Sequence, residues 1–343
     1  MSAPKLVIGA NGFLGSHVTR QLVADGHEVR VMVRANASTI SIDDLDVQRF
    51  VGDIWDNAVL REAMAGVDDV YYCVVDTRGW LSDPAPLFHT NVEGTRNVLD
   101  IAAGEGVAGT LRRFIFTSSY VTVGRQRGRT ASETDVINDR GLTPYVRSRV
   151  QAEELVLRYA REHNLPAIAM CVSTTYGTGD WGRTPHGAII AGAAFGKLPF
   201  VMGGIDLEAV GVEDAARAMI LAAERGRVGE RYLISEKMIS NAEVARIAAA
   251  EAGVPPPAKT IPLPLAYALA AMGTAKARLQ KTDEKLSLGS LRLMRAEGPL
   301  DHSKAVRELG WQPRPVEESV REAACFWVGL REAKRQAKAA KPD

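Results

Sequence analysis

The sequence predicts an α/β protein: a doubly wound parallel sheet with a smaller C-terminal α/β lobe. Three observations carry this. Short β-branched runs alternate with amphipathic helical segments through the first half of the chain. The first such run leads directly into a glycine turn and a helix. Beyond Gly177 the alternation loosens, and glycine and proline become frequent. With 343 residues the chain is long for one core, which favours one large domain plus a smaller one. The expected division is 1–172 for the sheet domain, with later segments returning to it. Residues 173–331 form the smaller lobe, and 332–343 a solvated Lys/Ala-rich tail.

In chain order, Lys5-Leu6-Val7-Ile8 reads as a buried strand, followed by Gly9-Ala10-Asn11-Gly12-Phe13-Leu14-Gly15 and a helix ending at Gly26. Missing Cβ atoms let the backbone turn tightly and let a pyrophosphate approach the N–H groups at the helix start. Set between a strand and a helix, this triplet reads as a nucleotide loop rather than a plain structural turn. The second strand, Val29 to Val33, ends at Arg34. A carboxylate there would hold the ribose diol of NAD; an Arg pairs with a 2′-phosphate or is simply an exposed strand end. NADP is therefore expected ahead of NAD. Phe50-Val51-Gly52-Asp53-Ile54 ends the third strand, where Asp53 either meets the adenine amine or caps the helix from Asn57.

Val70 to Val75 is the fourth strand. A long helix follows with Phe88, Val92, Thr95, Leu99 and Ala102 at helical spacing. Arg113 to Thr117 is the fifth strand, delivering Ser118 and Ser119 to a loop, and Ala167 to Cys171 the sixth. Between them lies Thr143-Pro144-Tyr145-Val146-Arg147-Ser148-Arg149, with Thr143 as N-cap, Pro144 as first helical residue, and a helix running to about His163. Tyr145, Arg149, Ala152 and Val156 share one face, and Glu153, Glu154 and Arg161 are expected to turn away. A guanidinium one turn from a phenol stabilises the phenolate, so Tyr145 is expected to have a lowered pKa and to exchange protons near neutrality.

Composition narrows the partners. Hydrophobic residues make up 46%, charged residues 24%, and net charge is +1, which gives no electrostatic reason to expect nucleic acid. Cys73, Cys171 and Cys325 fit no metal spacing, and no His-x-x-x-His pair occurs among the six histidines, so no metal site is expected. The sequence shows no signal peptide and no membrane span; a reduced, cytoplasmic protein is expected, with a small-molecule substrate. A homodimer is compatible with this composition.

Taken together, these stretches resemble the extended short-chain dehydrogenase/reductase family, within the NAD-dependent epimerase/dehydratase superfamily. Gly9-x-x-Gly12-x-x-Gly15 resembles the cofactor loop, Gly52-Asp53 the adenine contact, and Asn91-Val92-Glu93-Gly94-Thr95 the central helix. Phe116-Thr117-Ser118-Ser119 through Gly124 resembles the strand and loop carrying the catalytic hydroxyl; Leu300-Asp301 through Gln312-Pro313 resembles the C-terminal signature. The likeness is greatest to the dihydroflavonol 4-reductase and 3β-hydroxysteroid dehydrogenase branch, particularly over Val29 to Arg34.

The resemblance implies a Rossmann fold and ketone–alcohol exchange, with Ser119, Tyr145 and Arg149 as catalytic residues. It implies cofactor contacts from Gly9, Asn11, Gly12, Phe13, Leu14, Gly15, Arg34, Asp53, Ile54, Val74, Thr117, Tyr145, Arg149, Val172 and Thr174. Three departures stand out: Arg149 replaces the family's Lys, Cys171-Val172 replaces Arg-Pro, and Ile8-Gly9 replaces Thr-Gly. Rival readings are a nucleotide-sugar epimerase or dehydratase, with Arg183, Lys276, Arg278 or Lys281 on the diphosphate, and a non-catalytic NADP-binding regulatory protein. Cys73 reads as packing or as a reactive thiol, and Asp76 and Asp83 as loop solvation or substrate contacts. Leu263, Leu265, Leu269 and Met272, with Phe195, Phe200 and Trp181, are expected to form an apolar wall over the site, or to face their own core.

Overall fold

A computed structural model describes residues 3–339 apart from 108, 127, 139–140, 281, 285 and 295–297. The chain begins β1 (Lys5–Ile8), α1 (Phe13–Ala24), β2 (Val29–Val33), β3 (Gln48–Val51), α2 (Asn57–Met64), β4 (Asp69–Tyr72) and α3 (Ala85–Phe88). It continues through α4 (Thr95–Ala102), β5 (Arg113–Ser119), α5 (Pro144–Glu162), β6 (Ala167–Val172), β7 (Thr174–Tyr176), α6 (Pro185–Ala194) and β8 (Val201–Met202). Then come β9 (Asp206–Gly211), α7 (Val212–Arg225), β10 (Arg231–Ile234), β11 (Lys237–Ser240), α8 (Asn241–Glu251) and β12 (Thr260–Ile261). Four helices finish it: α9 (Leu263–Gln280), α10 (Leu288–Met294), α11 (Ser303–Leu309) and α12 (Val316–Ala339).

Among the described residues, seven parallel strands form the main sheet in the order β10-β6-β5-β4-β1-β2-β3. Strand order reverses between β1 and β4, and ligands of open parallel sheets bind at the carboxyl ends beside such a reversal. Apolar residues from α1, α7 and α11 cover one face, centred on Val7, Ile115, Met219 and Trp311. Those from α2, α4 and α5 cover the other, centred on Leu6, Phe114, Phe116 and Val156. The rest of the chain builds a three-stranded sheet, β11-β9-β7, and a two-stranded one, β12-β8. There α6, α8 and α12 pack around Tyr176, Ile190, Val244 and Trp327. No helix among the described residues is long and apolar enough to cross a membrane.

Two features of the framework differ from the sequence reading. The helix expected from Phe88 is interrupted by a π-helical turn, His89–Gly94. At and just before that turn the buried positions are Leu87 and Asn91 rather than Phe88 and Val92. A π-turn adds one residue to the helical repeat and rotates the stripe. The shift carries Asn91 fully inward, where its Oδ1 accepts the Asp76 N–H at 2.8 Å. Its Nδ2 donates to the Asp76 carbonyl and to Ser148 Oγ, each at 3.0 Å. Asn91 thus ties the loop after β4 to α5.

The second difference concerns the apolar wall. Helix α9 buries Ala266 and Ala270 in its own small core with Ile205, Leu207 and Leu291, and Leu263 packs at that core's edge. Leu265 and Met272 are exposed and Leu269 half-buried. Phe195 belongs to the α6–α8–α12 core and lies under Arg331, while Trp181 stacks edge-on with Phe326 at 5.0 Å, away from α9. Phe200 is exposed. These residues therefore do not form one wall.

Candidate active site

The glycine loop sits at the strand-order reversal. Gly9 has φ +85°, and a Cβ there would come within 3.1 Å of the Cys73 backbone and of Val74 Cγ2 at the end of β4. A Cβ on Gly15 would lie 2.3 Å from the Gly9 carbonyl oxygen, so only glycine lets α1 start this close to β1. Asn11 donates from Nδ2 to the Ser38 carbonyl at 3.1 Å and accepts from Ser41 Oγ on its own carbonyl, also at 3.1 Å. The loop after β2 is thereby held beside the turn. Gly12 is exposed, and Phe13 and Leu14 are half-buried at the start of α1.

Arg34 is exposed at the end of β2, with no ion pair among the described residues. Asp53 is not the cap of α2: Asp56 takes that role, accepting the Val59 N–H at 3.2 Å. The Asp53 side chain is half-buried and hydrogen-bonds to nothing among the described residues. Ile54 is buried against Gly94, and its carbonyl accepts Asn97 Nδ2 at 2.7 Å. Val74 and Thr117 are half-buried at the ends of β4 and β5; Val172 and Thr174 are buried on either side of the β6–β7 junction. Ser173 between them, which sequence reasoning missed, has a buried Oγ with no partner.

Ser119 is the last residue of β5, and Tyr145 lies in the first turn of α5 behind Thr143, whose hydroxyl accepts the Val146 N–H at 3.4 Å. The Ser119 hydroxyl lies beside the Tyr145 phenol and acts to lower its pKa. Ser119 Oγ also accepts the Val121 N–H at 3.4 Å, and Thr122 Oγ1 donates to the Ser119 carbonyl at 2.8 Å. Arg149, one turn along α5, is 0% exposed. Its Nη2 donates to the Thr117 carbonyl, and its guanidinium lies 5.2 Å from the Phe116 ring centroid. Its Nε and Nη1 are buried without partners.

This burial corrects the expected acidity of Tyr145. Loss of water raises the phenol above its ordinary range, and the Arg149 charge and the Ser119 hydroxyl offset only part of that rise. The same desolvation pushes the Arg149 guanidinium down, against the pull of Tyr145, Tyr72, Glu153 and Cys171. Helix periodicity also misplaced Glu153. It is 4% exposed and accepts from Ser118 Oγ, from Thr122 Oγ1 at 2.9 Å, from Cys171 Sγ at 3.1 Å, and from Arg231 Nη1 at 2.8 Å. Glu153 is one turn beyond Arg149, and the buried face of α5 is wider than the Tyr145 stripe, so this position still faces protein.

The remaining candidates are accounted for locally. Burial pushes the Cys73 thiol up to about 12, which suits packing rather than reaction. Asp76 is buried rather than solvated. Burial raises its carboxyl, but Arg78, bonded to it at 2.6 and 2.9 Å, outweighs that and holds it below its ordinary value. Asp83 accepts the Ala85 N–H in a turn at 3.0 Å. Of the expected diphosphate cations, Arg183 is exposed at φ +52° and Lys276 pairs with Glu284 at 3.2 Å. Lys281 and the Arg278 side chain lie outside the described residues. No cluster suited to a metal ion occurs among the described residues.

The described residues fit a dinucleotide: a cradle closed to any Cβ, and unpartnered buried donors on Arg149 and Ser173 at the same end of the sheet. Comparisons with known proteins agree. The family model described as NAD dependent epimerase/dehydratase family matches residues 5–235. A putative dihydroflavonol 4-reductase of Synechocystis sp. is 28% identical over 334 residues, 92% of each chain. A 3-beta-hydroxysteroid dehydrogenase of Mycolicibacterium neoaurum is 28% identical over 67% of this chain and 65% of that protein. The crystal structure of gox2253 superposes with a TM-score of 0.83 at 33% identity, over 95% of this chain and 98% of that one. This chain belongs to the NAD dependent epimerase/dehydratase family and is an NAD(P)-dependent oxidoreductase of the extended short-chain dehydrogenase/reductase type.

Proposed function

We propose that this enzyme uses NADP to interconvert a ketone and an alcohol on a small apolar or ring-containing substrate. The observation that carries the proposal is the juxtaposition of Ser119 and Tyr145, backed by the buried Arg149 cation. In this reading the N–H groups at the start of α1 receive the pyrophosphate, and Arg34 the 2′-phosphate. Asp53 and Ile54 border the adenine, and Val74, Thr117, Val172 and Thr174 flank the nicotinamide end. The unpartnered Nε and Nη1 of Arg149 suit ribose hydroxyls. The bound cofactor supplies or accepts hydride at the carbonyl carbon.

The chain's own residues handle the proton. Ser119 donates a hydrogen bond to the substrate carbonyl oxygen and holds it beside Tyr145. Tyr145 gives that oxygen its phenolic proton in reduction and takes it back in oxidation. A phenol raised by burial stays protonated at neutral pH, which suits the reducing direction. Arg149 keeps the phenolate from becoming prohibitively unstable after transfer. Relatives named for flavonol and steroid chemistry support an apolar or ring-containing substrate. Three unpaired thiols suit a reducing compartment such as the cytoplasm.

A panel of steroid-like, flavonoid-like and other ketones, with UDP- and dTDP-sugars alongside, tests the reading by following NADPH absorbance. Ketone-dependent NADPH consumption without sugar turnover is expected. Epimerisation or dehydration of the sugars, with no ketone consumed, would replace this reading by the nucleotide-sugar one.

A further inference from the structure

The buried Glu153 network has no part in the proton transfer just described, yet it surrounds the residue that holds the substrate oxygen. Ser118 immediately precedes Ser119, and Thr122 is bonded to the Ser119 carbonyl. Both hydroxyls end on the same Glu153 oxygen, Oε2. That oxygen also takes the Cys171 thiol from β6, while Oε1 is held by Arg231 from β10. Arg231 in turn donates to the Glu133 and Asp135 carbonyls at 2.7 and 3.0 Å. One carboxylate on α5 therefore fixes three neighbouring strands and the turn after β5, one helical turn from Arg149 and two from Tyr145. Burying a carboxylate costs several kcal/mol unless its lone pairs are filled, and here four donors fill them.

We propose that Glu153 is a positioning residue: it fixes where the Ser119 hydroxyl stands relative to Tyr145 and limits how much of the Arg149 charge Tyr145 feels. The inference rests on the reading of Ser119 and Tyr145 given above. Two charge balances define it. The groups facing Glu153 are Arg149 on its own helix, Ser118, Thr122, Cys171 and Arg231. Those facing Tyr145 are Arg149, Ser119, Asp76 and Tyr120. Removing the Glu153 charge leaves Arg149 and Arg231 less opposed, which favours the Tyr145 phenolate. A merely structural residue would not move the acidity of Tyr145 when replaced by its isostere.

The test uses the full-length enzyme, NADP and an alcohol product of a ketone it reduces. In Glu153→Gln the midpoint of the pH profile for alcohol oxidation is expected to move to lower pH by on the order of one unit. kcat should fall about 10-fold or more, with KM for NADP within a few-fold. Ser118→Ala, which removes one hydrogen bond and no charge, should lower kcat without moving the midpoint. If Glu153→Gln does not fold, Glu153→Asp, which keeps the charge but shortens its reach, should lower kcat with the midpoint unmoved, while Arg231→Met, which removes the cation on Glu153, moves the midpoint to higher pH. An unmoved midpoint and a parental kcat in Glu153→Gln, or a parental kcat in Ser118→Ala, would overturn the inference. Absence of any ketone or alcohol turnover in the parent enzyme would instead overturn the reading beneath it.

Discussion

Ser119 and Tyr145 come together from different elements: the last residue of β5 stands beside the first turn of α5. Neither position alone distinguishes a catalytic hydroxyl from a capping one. Their meeting at the carboxyl end of the sheet, above a buried cation, is what the proposed catalytic roles rest on. Tyr145→Phe should therefore abolish turnover while leaving NADPH affinity within a few-fold, because only the proton is lost. Ser119→Ala should lower kcat on the order of 10²–10³-fold. Steady-state kinetics with fluorescence titration of NADPH checks both, and near-parental rates in the two variants would remove the site assignment.

Arg149 offers a test in which stability and activity part company. Its Nε and Nη1 are buried without partners, so Arg149→Met relieves a desolvated guanidinium while losing its Thr117 and Glu153 interactions, and should change unfolding free energy by no more than about 1 kcal/mol, in either direction. The same change should raise the pH midpoint of alcohol oxidation, since desolvation already holds Tyr145 high and the Arg149 charge that offsets it is lost. The sign follows from the proton: oxidation needs phenolate, so a higher Tyr145 pKa moves the rising limb to higher pH. Denaturant unfolding and a pH profile on one variant give both numbers. An unchanged profile would favour a non-catalytic, cofactor-binding role.

Arg34 should select the cofactor. Arg34→Ala is expected to weaken NADPH binding about 10-fold or more and to leave NADH nearly unchanged, because only the 2′-phosphate differs. Equal losses for both cofactors, or NADH binding as tightly as NADPH to the parent, would exclude the 2′-phosphate role.

Gly15→Ala should damage the loop directly. Its Cβ would lie 2.3 Å from a backbone carbonyl oxygen, so α1 must shift away from β1, at a cost of about 1–3 kcal/mol. Calorimetry should show the lowered Tm and titration a weaker NADPH complex. Full cofactor affinity in this variant would mean the turn tolerates what the geometry forbids.

What could be seen in the sequence follows from how local each signal is. The glycine turn and the Thr143-Pro144 helix start are written in neighbouring residues, and both stand where expected. The alternation of strand and helix likewise gave the parallel sheet, since each buried strand carries its own apolar run. The π-turn that brings Asn91 inward has no such signature: one extra residue in a helical repeat changes no local preference, and a polar residue in the buried stripe looks like an exception. Glu153 was hidden for a related reason. Periodicity drew a narrow stripe through Tyr145 and Arg149, whereas the buried face of α5 is broad enough to include Val146, Val150 and Glu153. The sign of the Tyr145 shift depends on depth of burial against charge, and only the tertiary structure supplies the depth.

The central claim is proton transfer from Tyr145 to a ketone in an NADP-dependent reaction. Its most direct test is the pH dependence of NADPH-driven ketone reduction in the parent enzyme and Tyr145→Phe. A ketone-dependent rate that is flat through neutrality, declines only on the alkaline side as the desolvated phenol ionises, and vanishes in Tyr145→Phe is the predicted result. A decline centred well below the ordinary phenol range, or a rate that survives in Tyr145→Phe, would contradict it.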